Sequence, residues 1–193
     1  MRGSFQEQFG LGEPPVHARQ ALREATRPDH DAVDAAFSRY DLTHADGYAD
    51  FLAAQARVFA PVETALDAAG VEALVPDWPL RRRADRLSDD LARLGRPTVF
   101  GDIDLRLTGP AAVLGALYVL EGSRLGGALL SRSAPQGAPT RFLIDDDRAA
   151  RWRALVDLID RRLTRPQDID DAVTAARAVF QIFLAAAQRE HGQ

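Results

Sequence analysis

The sequence predicts an all-α fold built as one helical bundle. Apolar residues recur at helical spacing from about residue 16 to the end, alternating strand patterns are nearly absent, and short Pro- and Gly-marked loops separate the periodic segments. At 193 residues the chain suits a single domain, which at this size buries roughly 70% of its unfolded surface. A disordered leader is expected over residues 1–14, closed by Pro14 and Pro15, and the helical domain over 15–190.

The first helix is expected over 16–40, with Leu22, Ala25, Val33, Ala36 and Phe37 on its apolar side. Pro28 lies inside it and predicts a kink, or a restart with Thr26 as cap. A second helix, over 46–69, presents Phe51, Leu52, Val58, Phe59, Val62 and Leu66, with Pro61 expected to bend it. After a turn at Gly70, the segment Pro76-Asp77-Trp78-Pro79 leads into a charged helix over 80–94, closed by Gly95. An apolar helix follows over 110–132, then a loop over 133–140. Two last helices, over 146–164 and 167–189, are parted by Arg165-Pro166. The run Asp145-Asp146-Asp147 reads as a helix N-terminus, where carboxylates suit free amides and the dipole.

Composition removes several classes of function. There is no cysteine, so disulfides, thiolate metal sites and cysteine nucleophiles are out. The basic residues are all arginine, and the net charge is −4; with no basic stripe interleaved with aromatics, nucleic-acid binding has little support. The strongly apolar stretch 111–120 is far short of the ~20 residues that span a bilayer, and the first residues lack a signal-peptide apolar region. A cytoplasmic protein with no membrane attachment is the expectation.

The segment 118–127, Tyr-Val-Leu-Glu-Gly-Ser-Arg-Leu-Gly-Gly, places three glycines in an apolar helix, where each costs ~1 kcal/mol against alanine. On a continuous helix Gly122 and Gly126 share a face, leaving the main chain bare to a flat partner. A planar cofactor and a crossing helix are both such partners.

Among the histidines His17, His30, His44 and His191, His30 stands apart. It is embedded in an amphipathic helix, and Asp34 at i+4 can hold its imidazole in one tautomer. It reads either as an ordinary histidine on a helix flank or as a ligand. Were the bare glycine face to receive a haem, the chain has no cysteine and Met1 as its one methionine, so histidine, or less suitably tyrosine, would have to be the axial ligand. A di-iron carboxylate bundle calls for paired Glu-x-x-His motifs, and the chain has none.

These residues resemble a family. Leu22-Arg23-Glu24-Ala25-Thr26 followed by His30 is similar to the proximal helix of haem (heme) oxygenases. The segment from Tyr118 to Gly127 is similar to their distal helix, above all in the bacterial branch that accompanies bacteriophytochromes. The motifs stand ~90 residues apart in the family's order. The resemblance implies the haem-oxygenase-like helical fold, with haem as both substrate and cofactor, cleaved with oxygen and reductant to biliverdin, iron and carbon monoxide.

By that resemblance His30 would be the axial ligand of the haem iron, oriented by Asp34, and Arg23 would meet a propionate. Arg153 and Arg177 are weaker candidates for the second propionate. Phe180 and Phe183 would lie near the haem edge. Gly122, Ser123, Gly126 and Gly127 would line the oxygen side, with Ser123 where mammalian-type enzymes carry an aspartate. An external donor such as ferredoxin or flavodoxin is implied, for which Arg81, Arg82, Arg83 and Arg86 offer a basic docking patch; a bacteriophytochrome is the implied consumer of biliverdin. A noncatalytic haem-binding or haem-sensing protein on the same fold is the alternative, and a cofactor-free helical interaction domain a third. Thiaminase-like relatives of the fold depend on a cysteine that this chain lacks.

Overall fold

The computed structural model describes residues 18–189; the leader expected over 1–14, His17 and His191 lie outside the described residues. In chain order the α-helices are α1 (Ala18–Phe37), α2 (Ala45–Ala68), the short α3 (Trp78–Arg81), α4 (Ala84–Arg93), α5 (Gly109–Gly122), α6 (Gly127–Ser133), α7 (Arg148–Arg162) and α8 (Pro166–Arg189), with a 3₁₀ turn at Val71–Ala73. No strand occurs among the described residues.

The centre of the bundle is α5, apolar along nearly its whole length because other elements cover most of its faces. Val113, Leu114, Ala116, Leu117, Val119 and Leu120 are all buried. Its main neighbour is α8, and Gly115 explains how closely they cross: a Cβ there would lie 2.0 Å from the Ala172 carbonyl oxygen. The small Ala172, Ala175 and Ala176 supply the other half of that crossing. The stretch Gly109–Ser133 has the length and hydropathy of a membrane span, yet 56% of its most apolar window is buried inside the domain, as expected of a core helix.

Around this pair, α1 packs on α8 and α7, and α2 on α4, α8 and α5. Phe59, Val62 and Leu66 of α2, with Leu87 and Leu91 of α4, are fully buried, each such side chain contributing roughly 1.5–3 kcal/mol. Two expected punctuations hold. Gly70 and Gly95 have φ of 73° and 70°, and Gly95 ends α4 with a double bond pattern, its N–H donating to the Ala92 carbonyl and Arg96 N–H to Leu91, both at 3.0 Å.

Neither proline ends its helix: α1 runs through Pro28 and α2 through Pro61. Pro61 cannot donate the helical bond to the Arg57 carbonyl, and the chain at Gly101 packs on that carbonyl so closely that a Cβ would lie 2.4 Å from it. The restart at Thr26 is not what forms. Thr26 is buried mid-helix, and its hydroxyl donates back to the Leu22 carbonyl at 2.7 Å, a bond that itself bends helices.

Two expected helices are broken. The charged helix expected over 80–94 becomes α3 and α4, parted at Arg82, which is extended (φ −60°, ψ 141°). The cause is Glu63 of α2. Its buried carboxylate accepts from Arg83 N–H at 2.7 Å and Ala84 N–H at 3.2 Å, holding the first amides of α4 from outside the helix. The apolar helix expected over 110–132 becomes α5 and α6, with 123–126 as turns. There the bonds tighten to i→i−3, Leu125 N–H to Gly122 and Gly127 N–H to Arg124.

Candidate functional site

A cavity of 1,410 Å³ lies between α1, the α5–α6 break and α8; ordinary small-molecule clefts measure ~300–1,000 Å³. Of the residues singled out in the sequence, Arg23, His30, Asp34, Gly122, Ser123, Gly126, Phe180 and Phe183 line it. Phe37, Phe51, Tyr118, Leu129, Leu130 and Trp152 add apolar and aromatic wall.

On the α1 side, His30 Nδ1 stands 3.3 Å from Asp34 Oδ2, both side chains more than half exposed. The ring also meets Phe180 edge-on, with centroids 6.0 Å apart. Two neighbours thus fix the imidazole. With Nδ1 directed at the carboxylate, Nε2 is left as the coordinating nitrogen. Arg23 lies one or two turns back along α1, exposed at the cavity edge.

The opposite wall owes its shape to the break after Gly122. A Cβ at Gly126 would meet nothing within 4 Å, and one at Gly122 only the Trp152 ring at 3.6 Å, so the main chain there is bare to the cavity. Gly127 has another duty and is a correction: it is buried and does not line the cavity, and a Cβ on it would lie 2.3 Å from the Leu143 carbonyl oxygen. Of the three glycines singled out, Gly122 and Gly126 face the cavity and Gly127 a neighbouring chain segment; the close helix crossing falls instead at Gly115, which the sequence did not single out.

Arg124 makes the break. It is buried, donating to Glu121 Oε1 at 2.9 Å, to Asp145 Oδ2 at 2.7 Å and to the Arg81 carbonyl, and a side chain drawn into that nest pulls its backbone out of helical register. Asp145 thus has two duties: Oδ2 takes Arg124, and Oδ1 accepts from the Asp147 N–H at 3.1 Å just before α7, as expected of a carboxylate at a helix N-terminus. Burial pushes its carboxyl up, but Arg124 and Arg151 outweigh it and hold the pKa below the ordinary aspartate value. The first turn of α7 has no side-chain cap from Asp147.

Two of the four arginines expected to form a basic docking patch are not on the surface. Arg81 and Arg83 are buried at 4% and 3% exposure. Arg81 pairs with Glu121 at 3.1 Å and Asp77 at 3.0 Å, while Arg82, half-exposed, pairs with Glu63 and Asp67. Arg81 and Arg83 are thus closed to a partner's acidic surface, while Arg82 and the partly exposed Arg86 stay on the surface. Arg83 instead lines the cavity, its guanidinium 4.3 Å from the Phe59 ring centroid and 4.9 Å from that of Phe142.

One Arg83 nitrogen, Nη2, donates to the Leu120 carbonyl at 2.6 Å and to Ser123 Oγ at 2.7 Å. Its Nε has no hydrogen-bond partner within the described residues. Burial, then the nearby Arg124, lower its pKa from the usual guanidinium value; the opposing carboxylates of Glu121 and Glu63 favour the charged form, which guanidinium keeps at neutral pH. Ser123 meanwhile donates its own hydroxyl to the Leu120 carbonyl at 2.7 Å. The serine is committed to Leu120 and Arg83, and the arginine carries the donor left over.

Arg153 and Arg177 do not line the cavity. Arg153 is exposed on α7. Arg177, on α8, donates to the Ala25 carbonyl at 2.7 Å and pairs with Asp29 at 3.4 Å, so it ties two helices together. Sequence reasoning missed Arg83 and the buried Gln55, which also lines the cavity. The wall position of Arg83 depends on contacts with Glu63, Leu120 and Ser123 that no local pattern encodes.

These residues suit a haem: a large aromatic cavity, a histidine held by a carboxylate, a bare main-chain wall beside it, and an unsatisfied buried donor in that wall. No group of three or more His, Asp or Glu able to hold a separate metal ion occurs among the described residues.

No protein-family model matches the chain. It is 34% identical to a heme oxygenase of Xanthomonas campestris pv. campestris (strain 8004) over 145 residues, 72% of this chain and 87% of that protein. It is 30% identical to heme oxygenase PigA of Pseudomonas aeruginosa over 161 residues, 76% of this chain and 81% of that one. Among solved structures, the NO- and CO-bound heme oxygenase of Neisseria meningitidis superposes with a TM-score of 0.80 at 24% identity, covering 92% of this chain and 93% of that one. The heme oxygenase of Leptospira interrogans gives 0.72 at 18% identity, covering 90% and 100%. At those identities the structures bear on the fold alone.

Proposed function

Since the chain belongs to the haem oxygenase family, we propose that it cleaves haem with oxygen and reductant to biliverdin, iron and carbon monoxide, and that the α1/α5–α6 cavity is where it does so. The observation that carries this reading is the pairing, in one cavity, of His30 held by Asp34 with the bare backbone at Gly122 and Gly126.

When bound, haem supplies the iron at which oxygen is reduced and is itself the molecule cleaved. The chain's own part follows from its geometry. His30 would present Nε2 as ligand, its Nδ1 directed at Asp34 3.3 Å away; a histidine ligand does not push electron density toward early O–O cleavage as a thiolate would. Gly122 and Gly126 leave bare main chain on the cavity wall and would let a flat ligand lie close against it. Phe37, Phe180 and Phe183 exclude water from the apolar edge. Arg83, fixed between two aromatic rings, backs the oxygen-side wall and holds Ser123 Oγ in place through Nη2. Arg23 meets a propionate at the open edge.

The electron donor in this reading is a ferredoxin or flavodoxin, and it docks elsewhere than on the buried Arg81 and Arg83. Supply of biliverdin to a bacteriophytochrome is the biological role that the resemblance favours.

The test is an absorption time course of the haemin-reconstituted protein in air, with reductant added and catalase present. Loss of the Soret band with growth of a biliverdin spectrum is expected. A Soret band that forms and persists makes the protein a haem binder without turnover; no specific band removes haem from the reading.

A further inference from the structure

We propose that Arg177 of α8, assisted by Gln181, is a positioning residue that bridges the gap Pro28 leaves in α1 and so fixes where His30 stands. This rests on the reading of His30 as the haem ligand.

Pro28 has no N–H, so the Glu24 carbonyl loses its helical donor, and the ring crowds that carbonyl; in a helix interior this costs ~3 kcal/mol or more. Thr26 adds a second bend in the same turn through its bond to Leu22. The weak turn lies immediately before the ligand, with Pro28 two residues ahead of His30. Even so, α1 stays helical across it.

The contacts from α8 fall on both sides of the gap. Arg177 Nη2 donates to the Ala25 carbonyl, three residues before the proline, at 2.7 Å. The same guanidinium, through Nε, pairs with Asp29, one residue after it, at 3.4 Å. Gln181, one turn along α8, donates from Nε2 to the other Asp29 oxygen at 3.2 Å. Asp29 is largely buried, its side chain 17% exposed, whereas Arg177 is 53% exposed. One planar fork thus joins the two halves of α1 to a helix that is itself packed along α5. The other ion pair that straddles Pro28, Arg27 with Asp31 at 4.0 Å, has both side chains at least 70% exposed and contributes little.

A bridge across a broken backbone bond makes a claim that a plain surface ion pair does not: restoring the bond should make the bridge dispensable. In Arg177→Met, which keeps the apolar stem, amide hydrogen exchange of residues 29–33 in the haem-free protein should rise about tenfold, and haem affinity should fall about tenfold, the scale seen when outer partners of a metal ligand are removed. In the double variant Pro28→Ala/Arg177→Met both should return to within about threefold of the parent.

Should Arg177→Met fail to fold, Asp29→Asn removes the ion pair alone and should move both readouts in the same direction by less. Exchange at 29–33 that does not change in the single variant, or a double variant no better than the single, overturns the proposal. His30→Ala separates the two readings. If ferrous haem in that variant still shows an iron–histidine stretching mode, His30 is not the ligand and the positioning role falls with it, while the haem-free exchange data still decide whether the bridge exists.

Discussion

Gly126 and Gly127 are neighbours with opposite duties, and alanine at each position separates them. At Gly127 the added Cβ would lie 2.3 Å from a backbone oxygen of Leu143, which cannot swing aside as a side-chain end can, so Gly127→Ala should destabilise the haem-free protein by about 2–3 kcal/mol. At Gly126 the Cβ meets nothing and φ is an ordinary −79°, so Gly126→Ala should change stability by less than ~1 kcal/mol. What it should change is the cavity, in the form of weaker haem binding or slower turnover. Urea unfolding of the two haem-free variants, followed by haem titration of Gly126→Ala, checks both halves; equal loss of stability in the two would remove the distinction. Arg83 and Ser123 divide labour in the same way. The serine stands where the resemblance puts a catalytic polar group, but its hydroxyl is spent on Leu120, and the arginine behind it holds the unsatisfied donor.

At the scale of elements, helices were legible wherever the apolar stripe was continuous, which is why α2, α7 and α8 fall within two residues or so of their expected ends. The proximity of His30 and Asp34 on α1 was legible for the same reason, since i and i+4 always share a face. The two broken helices were not. Arg-rich 80–86 is good helix former by propensity, and what parts it is Glu63, twenty residues earlier in the chain, seizing the amides of Arg83 and Ala84. In the same segment Arg81 turns inward to the buried Glu121 and Arg83 to the Leu120 carbonyl and Ser123, so two arginines that look like part of a surface patch are core residues. The α5–α6 break is likewise written in Asp145, far along the chain, through Arg124. Asp145→Asn should therefore cost about 2–3 kcal/mol at neutral pH; removing one partner of a buried pair usually costs ~3–5, and Glu121 remains to Arg124. The folded pKa of Asp145 lies below its ordinary 3.8. Its contribution is thus full above that value and is lost as pH falls through the folded pKa. Urea unfolding of parent and variant should differ at pH 7, and the difference should shrink as pH falls below 3.8.

For the whole molecule, the cavity is the feature that the rest of the architecture supports and that no packing argument fills. The bundle behind it, α2, α4 and the core side of α5, is closed by buried leucines and phenylalanines, whereas α1 is held on one side by α8 and α7 and faces 1,410 Å³ of open volume on the other. A domain of this form should be locally least stable in α1 and around the break at 123–126, where side-chain contacts end at the cavity wall. A ligand that joins these walls adds its binding free energy to folding, ~2.7 kcal/mol at a concentration 100 times its Kd. For a domain of this size that raises Tm by roughly 5–10 °C. The location is the sharper expectation: haemin should slow amide exchange chiefly in 22–37 and 119–130, and leave α4 nearly unchanged. His30→Ala should keep the haem-free Tm within ~2 °C, as for an exposed site away from the core, and lose most of the haem-induced rise. Protection spread evenly over the chain, or a Tm rise that survives His30→Ala in full, would move the haem out of this cavity and with it the reading of α1 as the helix that holds the iron.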